Sequence, residues 1–200
     1  MQNESEKHEI TITEEGLMGL PFAVTDVFWS IIKAWFTYGL IILQGGTNSS
    51  KTYSALQVLI IIAKTRSLRI TIVGQDGPNM EVGVFRDFKH IVKSSEIVND
   101  WFVTKLDGKR YYEMDNGSFF EFKSYDDGQD ARSGKRDILF CNEVNGITSE
   151  IFYELYDRAT FKTIVDFNPS GHFWVHDELV GMDNAVMLIS NFTHNKFCHP

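Results

Sequence analysis

The sequence predicts an α/β fold, a central mostly parallel sheet flanked by helices and carrying an inserted β-hairpin, and three observations lead there. A Gly- and Ser-containing octet at 45–52 stands between a strand-like apolar run and a helix-length apolar run. Short apolar runs further on end in polar pairs, as parallel strands do when they stop at a ligand crevice. Two alternating segments flank Asp115-Asn116-Gly117, an Asn-Gly turn signal.

In chain order, Met1 to Glu15 is polar and acidic and lacks the basic start and apolar centre of a signal peptide. Residues 1–20 are therefore expected to form a flexible lead-in, and 21–200 one domain. Between Leu20 and Leu43 the chain is apolar, but Asp26 and Lys33 interrupt the run and Gly39 divides it, which speaks against a transmembrane span. The better reading is an amphipathic helix from about Val24 to Phe36, followed by a buried strand at Leu40-Ile41-Ile42-Leu43. Phe28 and Trp29 are candidates to stack on a ligand base, although aromatics at helical spacing more commonly fill a core.

Thr52 to Ala63 reads as a buried helix, Leu68 to Gly74 as a strand ending at a turn, and Glu81 to Ser94 as a helix. Lys109 to Met114 and Ser118 to Lys123 form the hairpin. The polar segment Asp126 to Arg136 is a loop carrying Arg132, Lys135 and Arg136. The strand Asp137 to Cys141 runs into Asn142-Glu143, the strand Phe161 to Phe167 into Asp166-Phe167-Asn168-Pro169, and Met187 to Ser190 supplies one more strand.

Composition narrows the function classes. With 43% hydrophobic and 14% aromatic residues, the chain is built to bury a core. A net charge of −8 argues against a general electrostatic grip on DNA or anionic lipid, so any nucleic-acid contact is expected to be local or assembly-dependent. Cys141 and Cys198 form no Cys-x-x-Cys pair, which suggests neither a disulfide framework nor a zinc ribbon. His172 and His176, and His194 with Cys198 and His199, lack the further ligands and spacing of a structural zinc site.

Gly45-Gly46-Thr47-Asn48-Ser49-Ser50-Lys51-Thr52 reads as a phosphate-binding loop. A triphosphate needs inward-pointing backbone N–H groups, a helix N-terminus, a Lys for the β/γ oxygens and a hydroxyl for Mg²⁺. Gly45, Gly46, Lys51 and Thr52 match those needs; the plain alternative is a turn before a buried helix. Ser50 stands where the usual pattern has Gly. Glu143 is expected to be the catalytic carboxylate that orients and deprotonates the attacking water. Its neighbour Asn142 stands where an Asp is usual and offers a neutral amide oxygen to the Mg²⁺ shell, beside Thr52. Asp166 and Asn168 are placed to sense the terminal phosphate or its water. The set implies ATP with Mg²⁺ and a P-loop NTPase of the additional-strand type.

Gln44 to Thr52, Arg132 to Asn145 and Val165 to Val175 together resemble the ATPase domain of phage terminase large subunits, the motors that package DNA into procapsids. The narrowing features are Gln-Gly-Gly-Thr-x-Ser-Ser-Lys-Thr, Arg-Asp-Ile-Leu-Phe-x-Asn-Glu, and Asp-Phe-Asn-Pro followed by Phe-Trp-Val. The resemblance implies that Asp166-Phe167-Asn168 couples the state of the γ-phosphate to domain movement. It also implies an arginine finger; some terminases carry that Arg in the third loop position, held here by Thr47, and Arg132 is preferred over Arg136. Implied partners are double-stranded DNA, the portal protein, the terminase small subunit and further copies of the chain in a ring. The implied place is the portal vertex of the procapsid in the cytoplasm of an infected bacterium. The family's nuclease domain has no counterpart in these 200 residues, whose end falls near the expected linker, so DNA cleavage is not expected of them. Rival readings are another additional-strand ATPase, helicase-like or of DNA repair, and a degenerate nucleotide-binding module motivated by Ser50 and Asn142.

Overall fold

The computed structural model describes residues 20–124 and 134–198. Its strands are β1 (Leu40–Gly45), β2 (Arg69–Gly74), β3 (Phe102–Leu106), β4 (Tyr111–Met114), β5 (Phe119–Ser124), β6 (Arg136–Cys141), β7 (Ala159–Phe167) and β8 (Ala185–Ser190). The helices are α1 (Asp26–Trp35), α2 (Lys51–Thr65), α3 (Gly77–Val82), α4 (Val84–Lys93), α5 (Glu96–Trp101), α6 (Ser149–Tyr156) and α7 (Trp174–Glu178).

The strands form one eight-stranded sheet in the order β3-β4-β5-β2-β6-β7-β1-β8. From β5 to β8 every neighbouring pair is parallel, and only β4 runs against the rest. β7 lies between β1 and β6, so an extra strand separates the strand leading into the 45–52 loop from the strand leading into Asn142-Glu143. That is the additional-strand arrangement.

Both faces of the central strands are covered, which is why they read as unbroken apolar runs rather than alternating ones. Successive side chains still point to opposite faces. Ile41 and Leu43 of β1, with Ile138 and Phe140 of β6, pack under α1, α2 and α4. Leu40, Ile42, Leu139 and Cys141 face the other way, toward Phe152 and Leu155 of α6 and Val175 of α7. By the same alternation Ile164 faces the α2 layer and Val165 and Phe167 the α6 layer, which puts Asp166 on the α2 side.

α1 buries Val27, Phe28, Ile31, Ile32 and Trp35, the stripe of an amphipathic helix. α2 buries Ser54 through Ala63 without interruption, as a helix walled in on all sides must. Buried Lys162 of β7 donates to the carbonyls of Trp35 and Tyr38 at the end of α1, where a cation complements the helix dipole.

The structure departs from expectation in three places. The helix anticipated over 81–94 is two helices divided at Gly83, where a Cβ would come within 2.8 Å of the Asn79 carbonyl oxygen. α3 starts instead at Gly77 and is capped by Asp76, whose side chain accepts from the Asn79 N–H, with Pro78 in its first turn. α5 and β3 carry too few residues for their periodicity to stand out, although Ser95 caps α5 by accepting from the Val98 N–H. The hairpin is present, but it extends the main sheet: β5 pairs in parallel with β2 from Arg69↔Phe119 to Gly74↔Ser124.

Candidate functional site

Gly45 ends β1 in a place no larger residue fits, since a Cβ there would lie 2.5 Å from Ser190 Oγ and 2.6 Å from Ser49 Oγ. Among the described residues nothing lies within 4 Å of the corresponding point on Gly46, so that position is open rather than crowded. The loop then turns through two left-handed residues, Asn48 at φ 67° and Ser50 at φ 64°. Ser50 is the N-cap of α2 and adopts the conformation a glycine would reach without cost. Its hydroxyl lies 2.9 Å from Thr25 Oγ1, and Thr25 is also 3.0 Å from Ser54 Oγ. The departure from glycine is thereby put to use as a tie between the loop and the start of α1. The Asn195 side-chain amide donates to the Asn48 carbonyl at 2.9 Å, holding the loop from its other side.

Lys51 and Thr52 open α2 and point at the ends of β6 and β7. Lys51 Nζ donates to Asn168 Oδ1 at 2.7 Å. Burial lowers its pKa, an effect partly opposed by Asp166 and Glu143. The direct hydrogen-bond partner of this largely buried ammonium is a neutral amide oxygen, and an anion would be a better one. Thr52 Oγ1 donates to Asp166 Oδ2 at 2.5 Å.

Asp166 is fully buried and sits at the centre of the network. Besides Thr52, it accepts from the Asn142 amide nitrogen at 2.9 and 3.2 Å and from the Glu143 backbone N–H at 2.7 Å. Burial raises its pKa; Lys51, Thr52, the Glu143 N–H and Asn142 pull the other way. Glu143 follows β6 in a left-handed conformation, φ 53° and ψ 52°, and its side chain is exposed at the cleft edge. A non-glycine residue held there costs energy, and such strain concentrates at sites that must aim a side chain.

The residues converge on one cleft of about 760 Å³, within the range of small-ligand sites. The 45–52 loop residues from Gly46 onward, Glu143 and Asn168 line it, so those expected site residues are brought together. Asp166 and Asn142 lie behind the lining, beneath Thr52. Arg132 lies outside the described residues. Phe28 is fully buried in the core and Trp29 packs edge-on against it at 5.3 Å, so neither lines this cleft. Phe22, Tyr53, His90 and Phe197 do, and sequence reasoning missed them. Tyr53 Oη and His90 Nδ1 are 3.0 Å apart, joining α2 to α4 across that wall. The one available signal was that Tyr53 follows the loop directly; the other three come from distant segments with no shared pattern. His172 pairs with Asp177 at 2.6 Å, and no group of three or more potential metal-ligating side chains occurs among the described residues. No helix among the described residues is long and apolar enough to cross a membrane.

The arrangement fits a Mg²⁺–nucleotide. Gly46 leaves room for close backbone approach, the buried Ser49 hydroxyl has no hydrogen-bond partner among the described residues, and Lys51, held by a neutral amide, neighbours a hydroxyl, Thr52, whose lone pairs are directed away from its carboxylate acceptor. Thr52 would hold the ion directly, with a carboxylate behind it.

No family model matches the chain, and no curated protein matches it. Solved structures do. The large terminase of a thermophilic bacteriophage superposes with a TM-score of 0.74 at 16% identity, over 89% of this chain and 48% of that one. The same terminase has been solved with ADP and with ATP-gamma-S, matching at 18% and 14% identity. The Thermus phage P74-26 large terminase ATPase domain matches with a TM-score of 0.68 at 13% identity, over 88% of this chain and 84% of that one. A chain of the bacteriophage Phi-29 viral genome packaging motor assembly matches with a TM-score of 0.60 at 15% identity, over 84% and 59%. The chain spans about half the length of the first of these relatives and most of the isolated P74-26 ATPase domain. Its fold is that of the phage large terminase ATPase domains.

Proposed function

We propose that the chain is an ATP-hydrolysing motor domain of a phage terminase large subunit that drives double-stranded DNA into a procapsid. The observation that carries this reading is the cluster at the base of the cleft, in which Thr52, Asn142 and the Glu143 N–H meet on Asp166 and Lys51 beside them holds Asn168, all at the ends of three adjacent parallel strands. The terminase fold supports the motor context.

In this reading the backbone of the 45–52 loop and the α2 N-terminus receive the phosphates, and Lys51 exchanges Asn168 for the β/γ oxygens. The bound Mg²⁺ supplies positive charge to offset the charge developing on the phosphates. Glu143 orients the attacking water and accepts its proton from the left-handed turn after β6. Asn168, released by Lys51, faces the γ-phosphate end and reports its presence to β7. Arg132 from a neighbouring subunit is the proposed finger, and portal protein, small subunit and a ring of copies at the portal vertex in the host cytoplasm complete the machine. Nuclease activity is not part of the proposal.

Glu143→Gln tests it. Steady-state turnover should fall by about 10²–10⁴-fold with nucleotide affinity kept within about threefold of wild type. Wild-type rates in that variant would remove Glu143 from the chemistry. Stimulation of wild-type turnover by portal and double-stranded DNA would separate a packaging motor from a helicase-like ATPase, which single-stranded DNA would stimulate instead.

A further inference from the structure

The usual acid is missing at 142, yet the hydroxyl of Thr52 already has a carboxylate beneath it, supplied by the neighbouring strand. β7 lies directly beside β1, with Asp166 level with Leu43, so its side chain arrives under the first turn of α2. Thr52 spends its one proton on Asp166 Oδ2, which leaves the lone pairs of the hydroxyl free for a cation. An anionic group that fixes a ligand hydroxyl in this way orients it and adds charge to the metal shell.

We propose that Asp166 is the carboxylate that orders the Mg²⁺ of a bound nucleotide, in place of the acid absent at 142, and that Asn142 is the positioning residue that holds it there. The proposal rests on the nucleotide-hydrolysing reading above. The Asn142 amide nitrogen contacts both Asp166 oxygens, so the two side chains form one acid–amide pair. An Asp at 142 would set two carboxylates at the same separation, an arrangement in which both cannot ionise freely. One acid and one amide keep the local charge of the usual site while moving the acid one strand over. Asp166 is also a poor direct sensor of phosphate: it is fully buried, and both its oxygens are engaged by Thr52, Asn142 and the Glu143 N–H. Asn168, which lines the cleft and holds Lys51, is the member of the Asp-Phe-Asn triplet that meets the phosphate end. Through the Glu143 N–H, Asp166 links the metal shell to the turn that aims Glu143.

The test is calorimetric binding of a non-hydrolysable ATP analogue with Mg²⁺ and again with EDTA, the readout being the gain in affinity that Mg²⁺ confers. Asp166→Asn should lower that gain, taken as the ratio of affinities with and without Mg²⁺ within the same protein, by about 10- to 100-fold. The swap Asn142→Asp with Asp166→Asn, which returns the acid to the other strand, should restore most of the gain. Asn142→Ala keeps the acid and removes the amide that orients it, so it serves if Asp166→Asn fails to fold; it should lose part of the gain. An unchanged gain in folded Asp166→Asn or Asn142→Ala, or no restoration in a folded swap, overturns the proposal while the nucleotide site stands. No binding by wild type in either condition overturns the nucleotide site itself, and this proposal with it.

Discussion

The crevice ends of the central strands and the aromatic edge of the same sheet are built by opposite rules. Three of the four non-glycine residues with positive φ among the described residues, Asn48, Ser50 and Glu143, stand at the crevice; the fourth, Arg110, precedes β4. A fully buried carboxylate and a largely buried ammonium lie there as well. At the edge, Phe85, Phe88, Phe102, Tyr112, Phe120 and Phe122 interlock, Phe88 meeting the last four of these at centroid separations of 5.0–5.6 Å. Edge-on and tilted aromatic pairs of this kind stabilise beyond their area alone. The crevice thus stores strain and buried charge, and the apolar layers, this edge among them, offset it.

That division can be broken from the edge first. Phe88→Ala should cost about 3–5 kcal/mol of stability, since Phe88 is fully buried and its truncation leaves a cavity among rings. Thermal and denaturant melts give the loss; below the melting transition, nucleotide affinity should stay within about threefold of wild type. A variant that melts normally but binds poorly would mean that the edge shapes the cleft rather than merely supporting it.

Ser50→Gly probes the crevice with a smaller effect. Glycine relieves a left-handed backbone worth roughly 1–2 kcal/mol, and removes the hydroxyl tie to Thr25, worth about 0.5–1.5 kcal/mol. The two nearly cancel, so stability should move by no more than about 1 kcal/mol, read by melting. A tenfold loss of nucleotide affinity would instead show that the Thr25 tie sets the loop's shape.

Much of this was legible in the sequence because the relevant signals are local. The loop, the strands that end in Asn142-Glu143 and Asp166-Phe167-Asn168, and the Asn-Gly hairpin each announce themselves within about ten residues. The partnership of Asp166 with Thr52 was not legible, because it depends on β7 lying between β1 and β6 and on the register Leu43↔Asp166, which no local pattern encodes. The same holds for Phe22, His90 and Phe197, which meet only when the lead-in to α1, α4 and the segment after β8 fold onto one cleft. The helix misjudged over 81–94 fails at a single glycine whose necessity is steric, set by the backbone carbonyl of Asn79 four residues before it.

The central claim is that residues 45–52 hold a nucleotide through Lys51. The direct measurement is calorimetric binding of a Mg²⁺–non-hydrolysable ATP analogue to the wild type and to Lys51→Ala, with folding of both checked by circular dichroism. The account predicts saturable wild-type binding and a loss of at least about 100-fold in the variant, the consequence of removing a desolvated cation from a charged partner. Equal affinity in the two proteins would contradict it.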